Sequence, residues 1–196
     1  MEEQPSSELN ERIAQRVREL RATRGLSLDA LAVQCGVSRS MISLIERGES
    51  SPTAVLLEKL AAGLNVSLAS LFDAPRAPAE PVARAADQPS WRDPQSGYVR
   101  RNVSPSGFVS PIQIVEVLFP AGARVAYEPG ARETRFHQQI WVLEGSITVT
   151  LGDVQHRLRV GDCLAMVLDQ PLMYHNPTRK AARYAVVLAV ETVPRR

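Results

Sequence analysis

The chain has 196 residues, 44% of them hydrophobic and 22% charged, with a formal net charge of +2. That suffices for one medium domain or two small ones of ordinary globular composition, and excludes a fibrous or wholly disordered chain. No apolar run reaches the ~18 residues that span a bilayer, and the opening MEEQPSSELNER lacks the apolar core of a secretory signal. Cys35 and Cys163 form no CxxC pair. These features predict a cytoplasmic protein with no membrane partner and two buried, reduced thiols.

Residues 1–8 carry no apolar period and read as a flexible arm. Ile13, Val17 and Leu20 then recur at helical spacing over 9–24, and Gly25 sits where a left-handed residue ends a helix. The same segment carries Arg12, Arg16, Arg18, Arg21 and Arg24 against Glu11 and Glu19, which fits either a solvated face or a phosphate-facing one. Ser27 is placed to cap a second helix over 28–35, Gly36 to make the turn, and Ser38 to cap a third over 38–47. Ser51-Pro52 predicts the start of a fourth helix reaching about Gly63, with proline in its first turn. Ser67 opens a fifth, LASLF.

Within this half, LDALAVQCGVSRSMISLIER (28–47) resembles the helix-turn-helix of the phage-repressor (Cro/C1, XRE) family. Ala32 is small where helices cross, Gly36 stands at the turn, and Leu31, Cys35, Val37, Ile42 and Ile45 fall at inward positions. The flanking ERGESSPTAVLLEKLAAGLNVSLASLF extends the resemblance to a five-helix domain over 9–72. The resemblance implies a double-stranded DNA operator as partner, read by a dimer, with the second helix of the unit entering the major groove. It assigns Ser38, Arg39, Ser40, Ser43 and Arg47 to the DNA. Arg39 fits a guanine edge or a phosphate. Leu28 departs from the family, where a glutamine often touches the DNA backbone. Glu46 reads as an internal partner of an arginine, since phosphates would repel it.

Residues 73–97 contain Pro75, Pro78, Pro81, Pro89 and Pro94 and read as an extended linker. From Tyr98 the period becomes two. SITVTL sets Ile147, Val149 and Leu151 against Thr148 and Thr150, and VQHRLRV sets Val154, His156, Leu158 and Val160 against Gln155, Arg157 and Arg159. Turn signals at PAGA, EG, LGD, VGD and NPT divide many short strands, which indicates a sandwich or barrel over 98–193. The fold class expected is therefore α + β in two domains.

WVLEGSITVTLGD, LRVGDCLAM and PLMYHNP together resemble a cupin, a double-stranded β-helix barrel. In that family two histidines and a glutamate precede the VLEG turn, and a third histidine follows the GD turn. Those positions fall here on Arg132, Thr134, Gln138 and Leu172, so the resemblance arrives without the family's metal ligands, and no cofactor is expected. His137 and His175 lie next to the motif positions and would form an alternative metal site if bulges turned them inward. Otherwise they hydrogen-bond on the outer face. Arg132 places a guanidinium where the cation would sit and suits a carboxylate, although a pairing with Glu128 serves it equally. The expected ligand site joins Arg132, Gln138, Tyr174 and Asn176 to an apolar lining of Ile140, Val142, Met166 and Leu172, and takes a small anionic effector.

Three functions follow. The leading one is a one-component transcriptional regulator, with a homodimerising barrel that senses the effector. The second is a metal-dependent cupin enzyme with a DNA-binding appendage, for which no catalytic residues are expected. The third is a repressor whose barrel only dimerises.

Overall fold

In the computed structural model the described residues are 4–73, 80–108, 110–130 and 134–191, with side chains described from Leu9 onward. Helix α1 spans Gln4–Thr23, α2 Leu28–Cys35, α3 Arg39–Glu46 and α4 Ala54–Gly63. Helix α1 thus begins inside the segment expected as a flexible arm. Ile13 and Val17 are fully buried along it. The Ser27 hydroxyl accepts from the Ala30 N–H and the Ser38 hydroxyl from the Met41 N–H, each satisfying a donor the first helical turn leaves open. Gly36 takes φ of 62° between them, a conformation costly to any residue with a Cβ.

Two expectations change. Helix α4 is capped by Thr53, whose hydroxyl accepts from the Leu56 N–H, so Pro52 lies outside the helix rather than in its first turn. The segment LASLF forms a 3-10 turn, Leu68–Phe72, leaving four α-helices among the described residues rather than five. Its backbone closes the tighter i to i+3 bond from Ser70 N to Ser67 O. Five residues give an α-helix little room to propagate, and burial of Leu68, Ala69, Leu71 and Phe72 decides the local shape.

The strands are β1 Ser90–Arg92, β2 Val99–Asn102, β3 Ile112–Phe119, β4 Arg124–Tyr127, β5 Phe136–Glu144, β6 Ser146–Leu151, β7 Val154–Arg159, β8 Cys163–Val167, β9 Leu172–His175 and β10 Ala182–Val190. A six-stranded antiparallel sheet runs β1-β2-β3-β10-β5-β8 and a four-stranded one β4-β9-β6-β7. They face each other as a barrel. Inward Val115, Val117, Ile140, Val142, Val186 and Leu188 of the first sheet meet Ile147, Val149 and Leu158 of the second in one core. Strand β7 is an edge, and of its expected apolar set only Leu158 is buried, with Val154 and Val160 mostly exposed. An edge strand overhangs the barrel wall and has no second neighbour to cover it. Cys163 also departs from expectation: it lies exposed on the outer side of β8, whereas Cys35 is buried.

The helical half and the barrel share a single hydrophobic core. Strand β1 lies inside the segment expected as linker and pairs with β2. Just after it, buried Asp93 accepts from the Ala54 N–H at 2.9 Å, and so caps α4 from the barrel side. Asn102 donates to the Ala69 carbonyl at 3.2 Å, and Asn65 accepts from the Thr134 N–H at 3.1 Å. Aromatic rings continue the junction inward, from Phe72 to Trp91, Tyr98 and Phe119, with centroids 5.6–5.9 Å apart. The proline-rich composition of 73–97 describes only part of what that segment does.

Candidate functional site

Helix α3 buries Ile42, Ile45 and Glu46 and leaves Ser38, Arg39, Ser40 and Arg47 exposed, with Ser43 half-buried. Arg39, Ser43 and Arg47 recur at i, i+4 spacing and so share a face. Among the described residues Arg39 is held only by an exposed pairing with Asp29, Nε to Oδ1 at 3.4 Å. Arg47 is engaged more fully. It donates to both Glu49 oxygens at 2.8 and 2.9 Å and to the Ser43 hydroxyl. Arg39 is therefore the cation of this face most free to meet a partner.

The buried end of α3 is fixed by a charge pair. Arg21 donates from Nε and Nη2 to the two Glu46 oxygens at 2.6 and 2.7 Å, and from Nη1 to the Leu26 carbonyl at 2.9 Å. Arg18 donates to the Glu46 carbonyl. The hydrogen-bonded Glu46 carboxylate raises the Arg21 pKa above its ordinary value. Glu46 is the internal partner its sequence position implied, and it ties α1, the α1–α2 turn and α3 into one unit. Arg16 and Arg24 also bond to the protein itself, donating to the Ser70 and Asn65 carbonyls at 3.2 and 3.3 Å, the second at an exposed position. Most of the α1 arginine run thus holds the domain together.

In the barrel, a cavity of about 70 Å³ opens between the two sheets and the helical half. Gln138, Leu172 and Tyr174, all inferred from the sequence, line it together. Gln138 donates from Nε2 to the Tyr174 hydroxyl at 2.6 Å and toward the Met166 sulfur at 3.7 Å. Met166, Ile140 and Val142 are buried, but they are not among the lining residues. Asn176 is elsewhere. Its amide donates to the Phe119, Pro120 and Lys180 carbonyls at 3.2, 3.1 and 2.8 Å, so it clamps a turn instead of facing the cavity. Arg132 falls outside the described residues.

The two histidines do not converge. His137 is exposed on β5, with Nε2 3.2 Å from a Glu191 oxygen, and His175 takes an outward phase on β9 in the other sheet. Strand alternation puts Gln138 and Tyr174 inward and turns both imidazoles out. Among the described residues no group of three or more His, Cys, Asp or Glu gathers where a metal could be held. Of the four motif positions taken from the sequence, Gln138 presents a neutral amide and Leu172 a hydrocarbon side chain, neither of them an ordinary ligand of a divalent transition metal, and Arg132 lies outside the described residues.

Sequence reasoning missed several cavity residues: Tyr98, Arg100, Tyr127 and Tyr184 from the barrel, and Glu58 and Ser67 from the helical half. Burial raises the pKa of Tyr98, Tyr127, Tyr174 and Tyr184, so all four remain neutral hydroxyls across the physiological range. The Tyr98 and Tyr127 hydroxyls lie 3.2 Å apart. Arg100 is 6% exposed, its guanidinium lies 5.6 Å from the Phe72 ring centre, and its Nε and Nη2 have no hydrogen-bond partner among the described residues. The available signal was the inward phase Tyr98, Arg100, Asn102 in YVRRN, where a charged residue alternates with positions facing out.

Known proteins support this architecture. The helix-turn-helix family HTH_3 matches residues 17–71. A crystal structure of an HTH_3 family transcriptional regulator from Vibrio cholerae is 30% identical, superposes with a TM-score of 0.76, and matches over 96% of this chain and 99% of its own. The Escherichia coli (strain K12) transcriptional regulator SutR is 28% identical over 173 residues, covering 82% of this chain and 84% of its own. PuuR of the same strain is 29% identical over 173 residues, covering 86% and 89%. With the outer side of α3 exposed and a two-sheet β-barrel packed behind it, the chain belongs to the XRE-type HTH_3 family of DNA-binding transcriptional regulators.

Proposed function

We propose that this regulator binds its operator as a homodimer and that the barrel is an effector chamber for a small anionic molecule rather than an enzyme. The observation that carries the DNA reading is the two-sided character of α3. One side is locked by Ile42, Ile45 and the Arg21–Glu46 pair, and the other offers Ser38, Arg39, Ser40, Ser43 and Arg47. A rigid helix presenting polar side chains from its first turns is the geometry that reads a major groove. Operator fragments selected from random duplexes, followed by footprinting, test it. Failure to enrich any sequence would refute the reading.

Dimerisation is supported by the outer face of the six-stranded sheet, where Ile114, Leu118 and Trp141 stand exposed near Ala185 and Val187 of β10. Apolar side chains exposed on an ordered sheet favour burial against a second copy. Sedimentation should show a dimer for the wild type and a monomer for Trp141→Glu. The effector reading is supported by the cavity, where Gln138, Leu172 and Tyr174 come together among neutral tyrosines. We assign Arg132 to it only by its motif position. The enzyme reading finds no support in the donor set, and purified protein should carry no stoichiometric iron, manganese or zinc.

A further inference from the structure

We infer that Arg100 is the anion-binding residue of this chamber, that its ligand is a small monocarboxylate with a short apolar body, and that the helical half forms part of the binding wall. The inference deepens the effector reading above and rests on it.

The carrying observation is a buried guanidinium with open donors. The Arg100 side chain is 94% buried, being 6% exposed, and both Nε and Nη2 are enclosed with no hydrogen-bond partner among the described residues. Its contact with the Phe72 ring offsets part of the lost hydration but satisfies no N–H. Buried guanidinium groups are ordinarily paired, and one left open in a cavity lacks its natural complement. A carboxylate matches it, because the planar fork meets two oxygens in parallel.

The other polar groups point the same way. The Tyr174 hydroxyl accepts from Gln138, which leaves its own proton to donate. Of the Tyr98–Tyr127 pair one hydroxyl donates to the other, so the acceptor's proton is likewise free. The chamber is thus rich in donors, and a carboxylate has only acceptors. Glu58 and Glu128 also line it, which disfavours a dianion such as phosphate. The remaining wall, with Val117, Val125, Leu172 and Leu188, is apolar and suits a short hydrocarbon body. The cavity of about 70 Å³ exceeds several-fold the ~10–15 Å³ that one water needs, and limits the ligand to a small molecule.

The site is also a junction. Ser67 and Leu68 of the helical half line the cavity, and Phe72, beneath Arg100, packs on Trp91. A ligand that draws on Arg100 therefore binds best when the 3-10 turn is seated on the barrel. Such differential affinity is what shifts the arrangement of the DNA-reading helices.

The test uses full-length protein, followed by thermal unfolding and calorimetric titration. The probes are propionate, butyrate, isovalerate and benzoate, with butyramide, benzamide, butylamine and inorganic phosphate as controls. At least one carboxylate should raise the melting temperature by several degrees, with no response to its amide. Arg100→Met, which keeps the aliphatic stem, should weaken that binding at least 20-fold, while Arg100→Lys should retain part of it. Free of ligand, Arg100→Met should melt at or above the wild type, because it removes two buried donors that lack a hydrogen-bond partner. A lower melting temperature for Arg100→Met would make the residue structural and overturn the inference. Equal carboxylate binding by wild type and Arg100→Met would overturn it too, as would silence across all four carboxylates. Stabilisation by butylamine or the amides alone would sink the carboxylate site and leave the sensor reading standing.

Discussion

Arg39 is the residue on which DNA reading turns. Among the described residues its exposed guanidinium is held only by the loose pairing with Asp29, so little must break before it reaches DNA. Arg39→Ala should weaken operator binding about 5- to 150-fold, the equivalent of ~1–3 kcal/mol for a bidentate base contact. If the contact is to guanine, discrimination at one base pair disappears; if it is to phosphate, all sequences weaken alike and the salt slope falls. Asp73 offers a separate test in pH. Burial raises its carboxyl pKa above the ordinary 3.8, with Arg16 acting in the opposite direction. A raised folded-state pKa favours the protonated form, so its contribution is full below about 3.8 and is lost as pH rises through the folded value. Asp73→Asn should therefore raise the melting temperature by roughly 1–3 °C at pH 7 and change it little below pH 3.5.

At the scale of elements, the recognition helix depends on what lies behind it. Glu46 is 6% exposed and carries two hydrogen bonds from Arg21. Glu46→Ala leaves that guanidinium half-buried without its partner. The expected loss is about 2 kcal/mol by urea denaturation, below the ~3–5 kcal/mol of a fully enclosed pair because Arg21 reaches solvent. The crossing of α2 and α4 is equally close. A Cβ added at Gly63 would stand 2.7 Å from the Cys35 Cβ, on two helices whose backbones cannot both yield. Gly63→Ala should cost about 1–3 kcal/mol of stability. It should also weaken operator binding by tilting the helix-turn-helix, measured as a fall in affinity larger than unfolding explains.

Across the whole molecule, a shared core makes the two halves one folding unit. The Asp93 cap on α4 and the aromatic chain from Phe72 to Phe119 leave no boundary along which one half separates without exposing the other. Helical circular dichroism and Trp91 fluorescence in a Trp141→Phe background should therefore unfold in one coincident transition. Two separate transitions would mean the junction is weaker than its contacts imply. Gly130 gives the junction a local probe, since a Cβ there would lie 2.3 Å from the Ala62 Cβ of α4. Gly130→Ala should lower that single transition and uncouple effector binding from operator affinity.

The sequence alone determined what local chemistry controls. Capping hydroxyls at Ser27 and Ser38, the left-handed turn at Gly36 and the period of Leu31, Cys35, Ile42 and Ile45 act through neighbours a few residues away, so the helix-turn-helix was legible. Strand alternation likewise placed Gln138 and Tyr174 inward. Tertiary structure decided the rest. LASLF reads as a helix until its apolar residues are pulled into a core that accommodates only a tighter turn. Cys163, Val154 and Val160 read as interior until sheet order puts them on outer or edge positions. Asn176 reads as a ligand group until three carbonyls claim its amide, and Arg100, which the sequence did not single out, is buried with its guanidinium over Phe72. Each of these depends on which distant segments meet, because burial is a property of the packed pair and not of the residue.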